Sequence, residues 1–376
     1  METISLDTAR PPRPGEEIDA GPLREWLAGH VPDLAGCAEP LVVEQFPGGH
    51  SNLTYLVRCA PGSPPLREGP GEGDGIDGRE LVLRRPPFGS KVKTAHDMGR
   101  EYRILSRLWT VYPKAPRAFA ACDDPAVIGA PFYVMERVRG VVLRQQKLPP
   151  GIELPPPAMR RLSEAAVDGL AELHAVDYAA AGLGDLGRPQ GYVERQVTGW
   201  HERWRNARTD DVPDVDRAFA WLTDHLPPES GAALIHNDYK YDNLVLAPDL
   251  ERIVAVLDWE MTTVGDPLMD LGTSLGYWLD PDDDPAMRSL PAGPTTVPGN
   301  LTRAEVAQRY AERSGRDVSQ ILFHYVYGLL KISVIAQQIY FRYKQGLTHD
   351  ERFAGMIDAV RLFGRQAAGA VERGRI

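Results

Sequence analysis

Cysteine is scarce in this chain of 376 residues: there are three, at positions 37, 59 and 122. An odd, widely spaced set forms neither a disulfide framework nor a metal-binding knuckle, which points to a reducing, cytoplasmic compartment. Positive charge is in deficit. Lys+Arg number 42 against 52 Asp+Glu, a net charge of −10, so the chain lacks the clustered basic field that nucleic acid demands. Long apolar runs are missing as well. The opening METISLDTARPPRPGEE has no signal-peptide core. The most apolar stretch, residues 321–341, carries Lys331 near its middle together with His324, Gln337 and Gln338, which marks a buried helix and not a membrane span.

Glycine and proline are plentiful, 36 and 33, and predict long loops. The 43% hydrophobic and 25% charged content is ordinary for a globular protein. At roughly 100–200 residues per domain the length predicts two. Residues 1–17, proline-rich and charged, read as a flexible tail. A short helix signal, LREWLAGHV, ends at Pro32. The runs LVVEQF, LTYLVRC and LVLRRP read as strands, the first two joined by a glycine-rich turn containing Gly48, Gly49, Ser51 and Asn52. Residues 60–80, full of breakers, read as a flexible insertion. KTAHDMGREYRILSRLW places Met98, Tyr102, Leu105 and Trp109 at helical spacing, and PFYVMERV is a further strand. Beyond about residue 155 helical patterns dominate, with a strand-like interruption at 233–256 and a loop-like stretch near 280–300. The expected organisation is bilobal α+β: an N-lobe over 18–137, with an antiparallel sheet and one helix, and a larger, mainly helical C-lobe over 138–376.

The densest chemistry lies in LIHNDYKYDNLVL, where His236, Asp238, Lys240 and Asn243 form H-x-D-x-K-x-x-N between apolar flanks. The apolar run RIVAVLDWE follows and ends in Asp258. Phosphoryl transfer needs this set of groups. A carboxylate, Asp238, orients a hydroxyl nucleophile and takes its proton. Hard oxygen donors, Asn243 and Asp258, suit Mg²⁺. Lys240 is within reach of a γ-phosphate, and His236 braces the loop. Asp266-Pro267 reads as a helix N-cap, Asp270 as support for the loop, Glu260 as an outer metal group, and His174 as a core histidine.

Upstream, the glycine-rich turn can cradle phosphates through backbone N–H groups. Strand alternation puts Val82 and Arg84 on one face, Val82 to cover an adenine and Arg84 to reach phosphates. Glu101, on the amphipathic helix, is the expected partner of Arg84. Glu136 and Val138 form a hinge-like segment whose backbone can pair with adenine.

These motifs resemble the aminoglycoside phosphotransferase/choline kinase superfamily over nearly the whole chain from about Leu41 to Gly364, with HNDYKYDN, LDWE and GDPLMDLG as the specific elements. YVERQVTGWHERW and KISVIAQQIYFRYKQG are similar to the branch found alone in bacteria and fused to acyl-CoA dehydrogenases in animals. The resemblance implies a protein-kinase-like fold and phosphorylation of a small-molecule hydroxyl with ATP and Mg²⁺, hydroxyacyl-CoA compounds being a fitting acceptor class. It implies Asp238 as base, Asn243 and Asp258 as magnesium ligands, and Arg84 as the phosphate-binding basic residue. Arg195, Trp200, Lys331 and Arg342 are candidate acceptor contacts. An aminoglycoside or amino-alcohol kinase using Asp282-Asp283-Asp284, a metal-dependent phosphohydrolase built on Asp238, Asp242, Asp258 and Glu260, and a non-catalytic nucleotide-binding module remain as alternatives. A protein kinase is disfavoured because GDPLMDLG follows Asp258 too closely for an activation segment.

Overall fold

The computed structural model describes residues 9–31, 41–47, 52–59, 80–87, 97–348 and 350–376. Gly48, Gly49, Ser51 and most of the expected insertion lie outside them. The chain divides into two compact units, residues 1–142 with 245–249 and 253–260, and residues 143–244 with 250–252 and 261–376. Residues 245–249 and 253–260 therefore belong with the first unit, although they fall in the span expected for the C-lobe.

The first unit is built on a five-stranded antiparallel sheet. Its strands are β1 (Leu41–Gln45), β2 (Leu53–Cys59), β3 (Glu80–Arg85), β4 (Ala118–Cys122) and β5 (Phe132–Glu136), in the order β1-β2-β3-β5-β4. β3 sits at the centre, with Arg84 opposite Thr54 on β2 and Tyr133 on β5. Alternation sorts its side chains: Leu81 and Leu83 join Tyr55, Val57, Phe132 and Val134 in one apolar cluster, and Val82 and Arg84 face the other way. Helix α1 (Ala20–His30) covers that cluster through Leu23 and Leu27, and Trp26 meets Phe132 edge-on at 4.8 Å. Burying each such leucine contributes roughly 1.5–3 kcal/mol. Helix α2 (Met98–Leu108) starts at Asp97, whose carboxylate accepts from the Arg100 N–H. It buries Met98, Ile104, Leu105 and Leu108, with Tyr102 and Trp109 only half-buried, so its inward face is turned slightly from the one the spacing suggested. A one-turn helix, α3 (Pro125–Ile128), joins β4 to β5.

Two expectations fail here. Residues 10–17 are not free: Arg10 pairs with Gln45 on β1, Arg13 N–H donates to the Gln45 side chain, and Gln45 and Tyr55 both donate to Glu16. Polar side chains, invisible to hydrophobic periodicity, hold this segment. Cys59 is disulfide-bonded rather than a free thiol, whereas Cys122 is free and buried.

The second unit is mainly helical: α4 (Pro156–His174), α5 (Tyr192–Ala207), α6 (Pro213–Asp224), α7 (Pro267–Gly276), α8 (Pro285–Arg288), α9 (Arg303–Ser314), α10 (Ile321–Lys344) and α11 (Met356–Arg373). Short strands β6 (Ala233–Ile235) and β9 (Thr263–Gly265) pair antiparallel within it, whereas β7 (Leu244–Leu246) and β8 (Ile253–Val256) form a two-stranded sheet that falls almost wholly in the first unit. Gly272 of α7 and Gly328 of α10 let two helix backbones touch, since a Cβ on either would collide with main chain of the other. Helix α10 is buried over most of its length, as its interrupted apolar run predicts. Among the described residues no helix is long and apolar enough to cross a membrane. The stretch read as loop near 280–300 is irregular apart from the single turn of α8, capped by Asp284.

Candidate active site

In the first unit the even-numbered face of β3 delivers Arg84 into a group of carboxylates. Its Nη1 donates to Glu101 Oε1 at 2.7 Å and its Nη2 to Asp258 Oδ1 at 3.0 Å, with Glu260 Oε2 at 3.5 Å. The pairing expected between Arg84 and Glu101 is present. Helix α2 supplies Glu101 from its buried face, and the side chains of Arg84 and Glu101 are 9% and 2% exposed. Burial works against the arginine charge, but the Glu101, Asp258 and Glu260 carboxylates more than offset it and hold the guanidinium protonated. Asp258 follows β8 in a left-handed conformation, φ 67°, tolerable for a short polar side chain. Next to it Trp259 is buried and donates its ring N–H to Val256 O at 2.7 Å. Glu260 is tied in from two sides: Asn52 Nδ2 donates to its carboxylate at 2.8 Å and Arg100 to its carbonyl at 3.1 Å.

In the second unit the loop after β6 is fixed from beneath. Asp270, fully buried in the first turn of α7, accepts the His236 N–H at 2.6 Å and the Asn237 N–H at 2.7 Å, and also meets His174 Nε2 at 3.1 Å. Burial by itself would raise the Asp270 pKa, but the His174 hydrogen bond and the His236 contacts hold it below the usual carboxylate range. Asp270 and His236 thus brace the loop as expected, and Asp266 caps α7 through the Leu268 N–H. Asn237 adopts φ 67°, which turns the chain so that Asp238 leads away from the buried clamp.

Asp238 is enclosed by donors. Asn243 Nδ2 donates to both its carbonyl and its carboxylate, at 2.8 and 3.0 Å, and Lys240 Nζ lies 3.2 Å from Oδ2. Tyr277 lies near the same carboxylate, and burial followed by the Asp238 charge raises the tyrosine pKa. Lys240 also sits 4.5 Å over the Tyr277 ring. Burial opposes its charge, while Tyr277, Asp238 and Asp242 together raise its pKa. Asp242 is pushed up to about 6, chiefly by burial. Sequence reading missed Tyr277: it lies 39 positions beyond Asp238 in a helix-end segment, LGYWL, whose pattern gives no catalytic signal.

The remaining candidates are placed as follows. Val82 is buried on the Arg84 face and Asn52 is bound to Glu260. The Glu136 carboxylate accepts the Arg117 N–H at 2.7 Å and its own N–H donates to Arg117 O, while Val138 is half-buried just past β5. Of the four acceptor-contact candidates, two lie on α5 and two on α10. Arg195 is exposed and donates to the carbonyls of Gln190 and Arg188. Trp200 is buried under Arg203, whose guanidinium lies 4.7 Å over the ring. Arg342 is exposed, and at 1.5 Å per residue it lies roughly 16 Å along α10 from Lys331. Lys331 is buried and donates to Asn237.

Mouse acyl-CoA dehydrogenase family member 10 is 32% identical over 90% of this chain, and chicken acyl-CoA dehydrogenase family member 11 is 35% identical over 69%. The chain spans only 30% and 31% of those relatives' lengths. A protein from Ralstonia eutropha, assigned to the aminoglycoside phosphotransferases, superposes with a TM-score of 0.76 at 29% identity, covering 95% of this chain and 99% of the other. Aminoglycoside phosphotransferase APH(4)-Ia, solved in a ternary complex with AMP-PNP and hygromycin B, shares the fold at TM-score 0.56 and 14% identity, with 94% and 98% coverage. Residues 42–308 match the phosphotransferase enzyme family. With its α+β kinase-like fold, the chain belongs to that family.

Proposed function

We propose that this protein transfers the γ-phosphoryl group of ATP to a hydroxyl of a small molecule, with Asp238 as the group that orients the hydroxyl and accepts its proton. The observation that carries the reading is the setting of Asp238, a carboxylate held by Asn243 and Lys240 beside Tyr277 on a loop whose base is clamped by Asp270. A base that must line up with an acceptor oxygen gains from such fixed orientation. Lys240 is the cation for the transferring group, and Arg84 the one for the other phosphates.

Asn243 and Asp258, one in each unit, each offer an oxygen donor of the kind magnesium takes. Among the described residues no three His, Cys, Asp or Glu side chains form a ready-made metal cage. Magnesium does not need one, because it binds through one or two protein oxygens and completes its shell with phosphate and water. Asn243 spends its amide nitrogen on Asp238, leaving its oxygen as the available donor. Asp258 belongs to a set of three carboxylates around one guanidinium, an excess of negative charge that suits a divalent ion. Bound magnesium would neutralise phosphate oxygens during transfer.

For the acceptor we favour a hydroxyacyl-CoA or hydroxy acid, on the similarity to acyl-CoA dehydrogenase family members 10 and 11. Two of the three carboxylates named for the amino-sugar alternative are already engaged in this fold. Asp283 forms a two-pronged ion pair with Arg303 at 2.6 and 2.7 Å, and Asp284 caps α8. The test is ATP consumption against hydroxyacyl-CoAs, hydroxy acids, amino-sugars and choline, with product identification. A phosphorylated acyl acceptor supports the proposal. Free phosphate without a phosphorylated acceptor would favour a phosphohydrolase. Asp238→Asn is expected to lose phosphotransfer by about a thousandfold or more while still binding nucleotide, and wild-type transfer by that variant would refute the role.

A further inference from the structure

Lys331 is an ammonium group in the middle of α10, 2% exposed, and none of the roles above uses it. We propose that Lys331 is a positioning residue, which locks the left-handed turn at Asn237 and thereby aims Asp238. The inference deepens the proposed phosphotransfer reading and rests on it.

The grip is unusually complete. Lys331 Nζ donates to Asn237 O at 2.7 Å and to Asn237 Oδ1 at 3.3 Å. The Asn237 N–H goes to Asp270, and its Nδ2 to Met261 O at 3.0 Å and to the Tyr192 hydroxyl at 3.5 Å. Every polar group of Asn237 is therefore engaged, which fixes it at φ 67°, a conformation that asparagine adopts more readily than most residues. The carbonyl that Lys331 holds belongs to the peptide plane leading into Asp238. The other edge of that plane, the Asp238 N–H, meets His236 Nδ1 at 3.2 Å. A plane fixed at both edges fixes the direction in which the Asp238 side chain leaves the backbone. Lys331 reaches the loop because α10 touches α7 at Gly328, three residues earlier and on the same helical face.

Burying this charge has a cost that plain packing would avoid, since methionine fills similar space. Burial lowers the Lys331 pKa to about 8, while Asp270 on α7 and Asp238 on the loop favour the charge and Lys240 opposes it. The neighbouring hydroxyls of Tyr192 on α5 and Tyr327 one turn earlier stay neutral, both raised by burial. The grip is thus charge-assisted at neutral pH and weakens, without losing its N–H donors, as the pH passes about 8.

The test compares wild type, Lys331→Met and Asp238→Asn in the full chain. Hydrogen exchange of the segment 234–243, which needs no acceptor, is expected to quicken in Lys331→Met. With whichever acceptor of the panel is turned over, kcat should fall about 10- to 100-fold with little change in KM for ATP, a cost typical of groups that orient a reacting residue. Wild-type kcat should decline on an alkaline limb centred near 8 that Lys331→Met lacks. Unchanged exchange and kcat in Lys331→Met would overturn the inference. Should that variant not fold, Lys331→Gln is measured in the same way, and unchanged exchange and kcat there overturn the inference equally. Failure here alongside an inactive Asp238→Asn leaves the phosphotransfer reading standing, whereas an active Asp238→Asn removes that reading itself.

Discussion

At position 84 the guanidinium does what an ammonium could not. One planar fork divides itself between Glu101 and Asp258, at 2.7 and 3.0 Å, and so connects the buried face of α2 to the turn after β8. Lysine offers a point charge on a flexible stem and would satisfy one carboxylate at a time. Arg84→Lys is accordingly expected to raise KM for ATP about tenfold, the scale of one lost charge-assisted hydrogen bond. Steady-state kinetics over a range of ATP concentrations checks this, and an unchanged KM would show that the fork is dispensable. Tyr277→Phe is a second local test. It removes one hydroxyl beside Asp238 and keeps the ring under Lys240. The expected result is a kcat loss of about tenfold to a hundredfold, in line with one hydrogen bond to a charged group, with nucleotide affinity unchanged by calorimetry.

At the scale of elements, the strands and α2 were readable because alternation and helical spacing are local. The shared face of Val82 and Arg84, and the pairing of Arg84 with Glu101, follow from two such local patterns meeting. The clamp of Asp270 on His236 was readable because Asp266-Pro267 announces where α7 begins. What stayed hidden depends on distant approach. β9 is three residues long and exists through its pairing with β6. The destination of Lys331 was set by glycine contacts between α7 and α10, which periodicity does not record. That seam yields its own prediction. Gly328→Ala would press a methyl group into the Gly272 backbone, and overpacking of this kind costs roughly 1–3 kcal/mol. Thermal unfolding should show a lower Tm, and hydrogen exchange should quicken in α7 as well as α10. A Tm equal to wild type would mean the helices can part without loss.

For the molecule as a whole, Lys331 gives stability a pH dependence opposite in sign to activity. Its folded pKa is about 8 against an ordinary 10.5. Between those values the unfolded chain keeps a proton that the native state has released, so this group makes stability rise with pH across the window. The difference in Tm between wild type and Lys331→Met should shift in favour of wild type from pH 8 to 10, while the activity of wild type declines. Parallel melts of both proteins in matched buffers measure it, and a constant difference would show that the lysine does not titrate there.

The segment around Arg10–Glu16 has a practical consequence of its own. It lies along β1, the outermost strand of its sheet, and supplies partners that strand would otherwise seek from another copy. An expression boundary drawn at residue 18, where hydrophobic patterning begins, would leave that border bare and invite sticking and loss of yield through lateral strand addition.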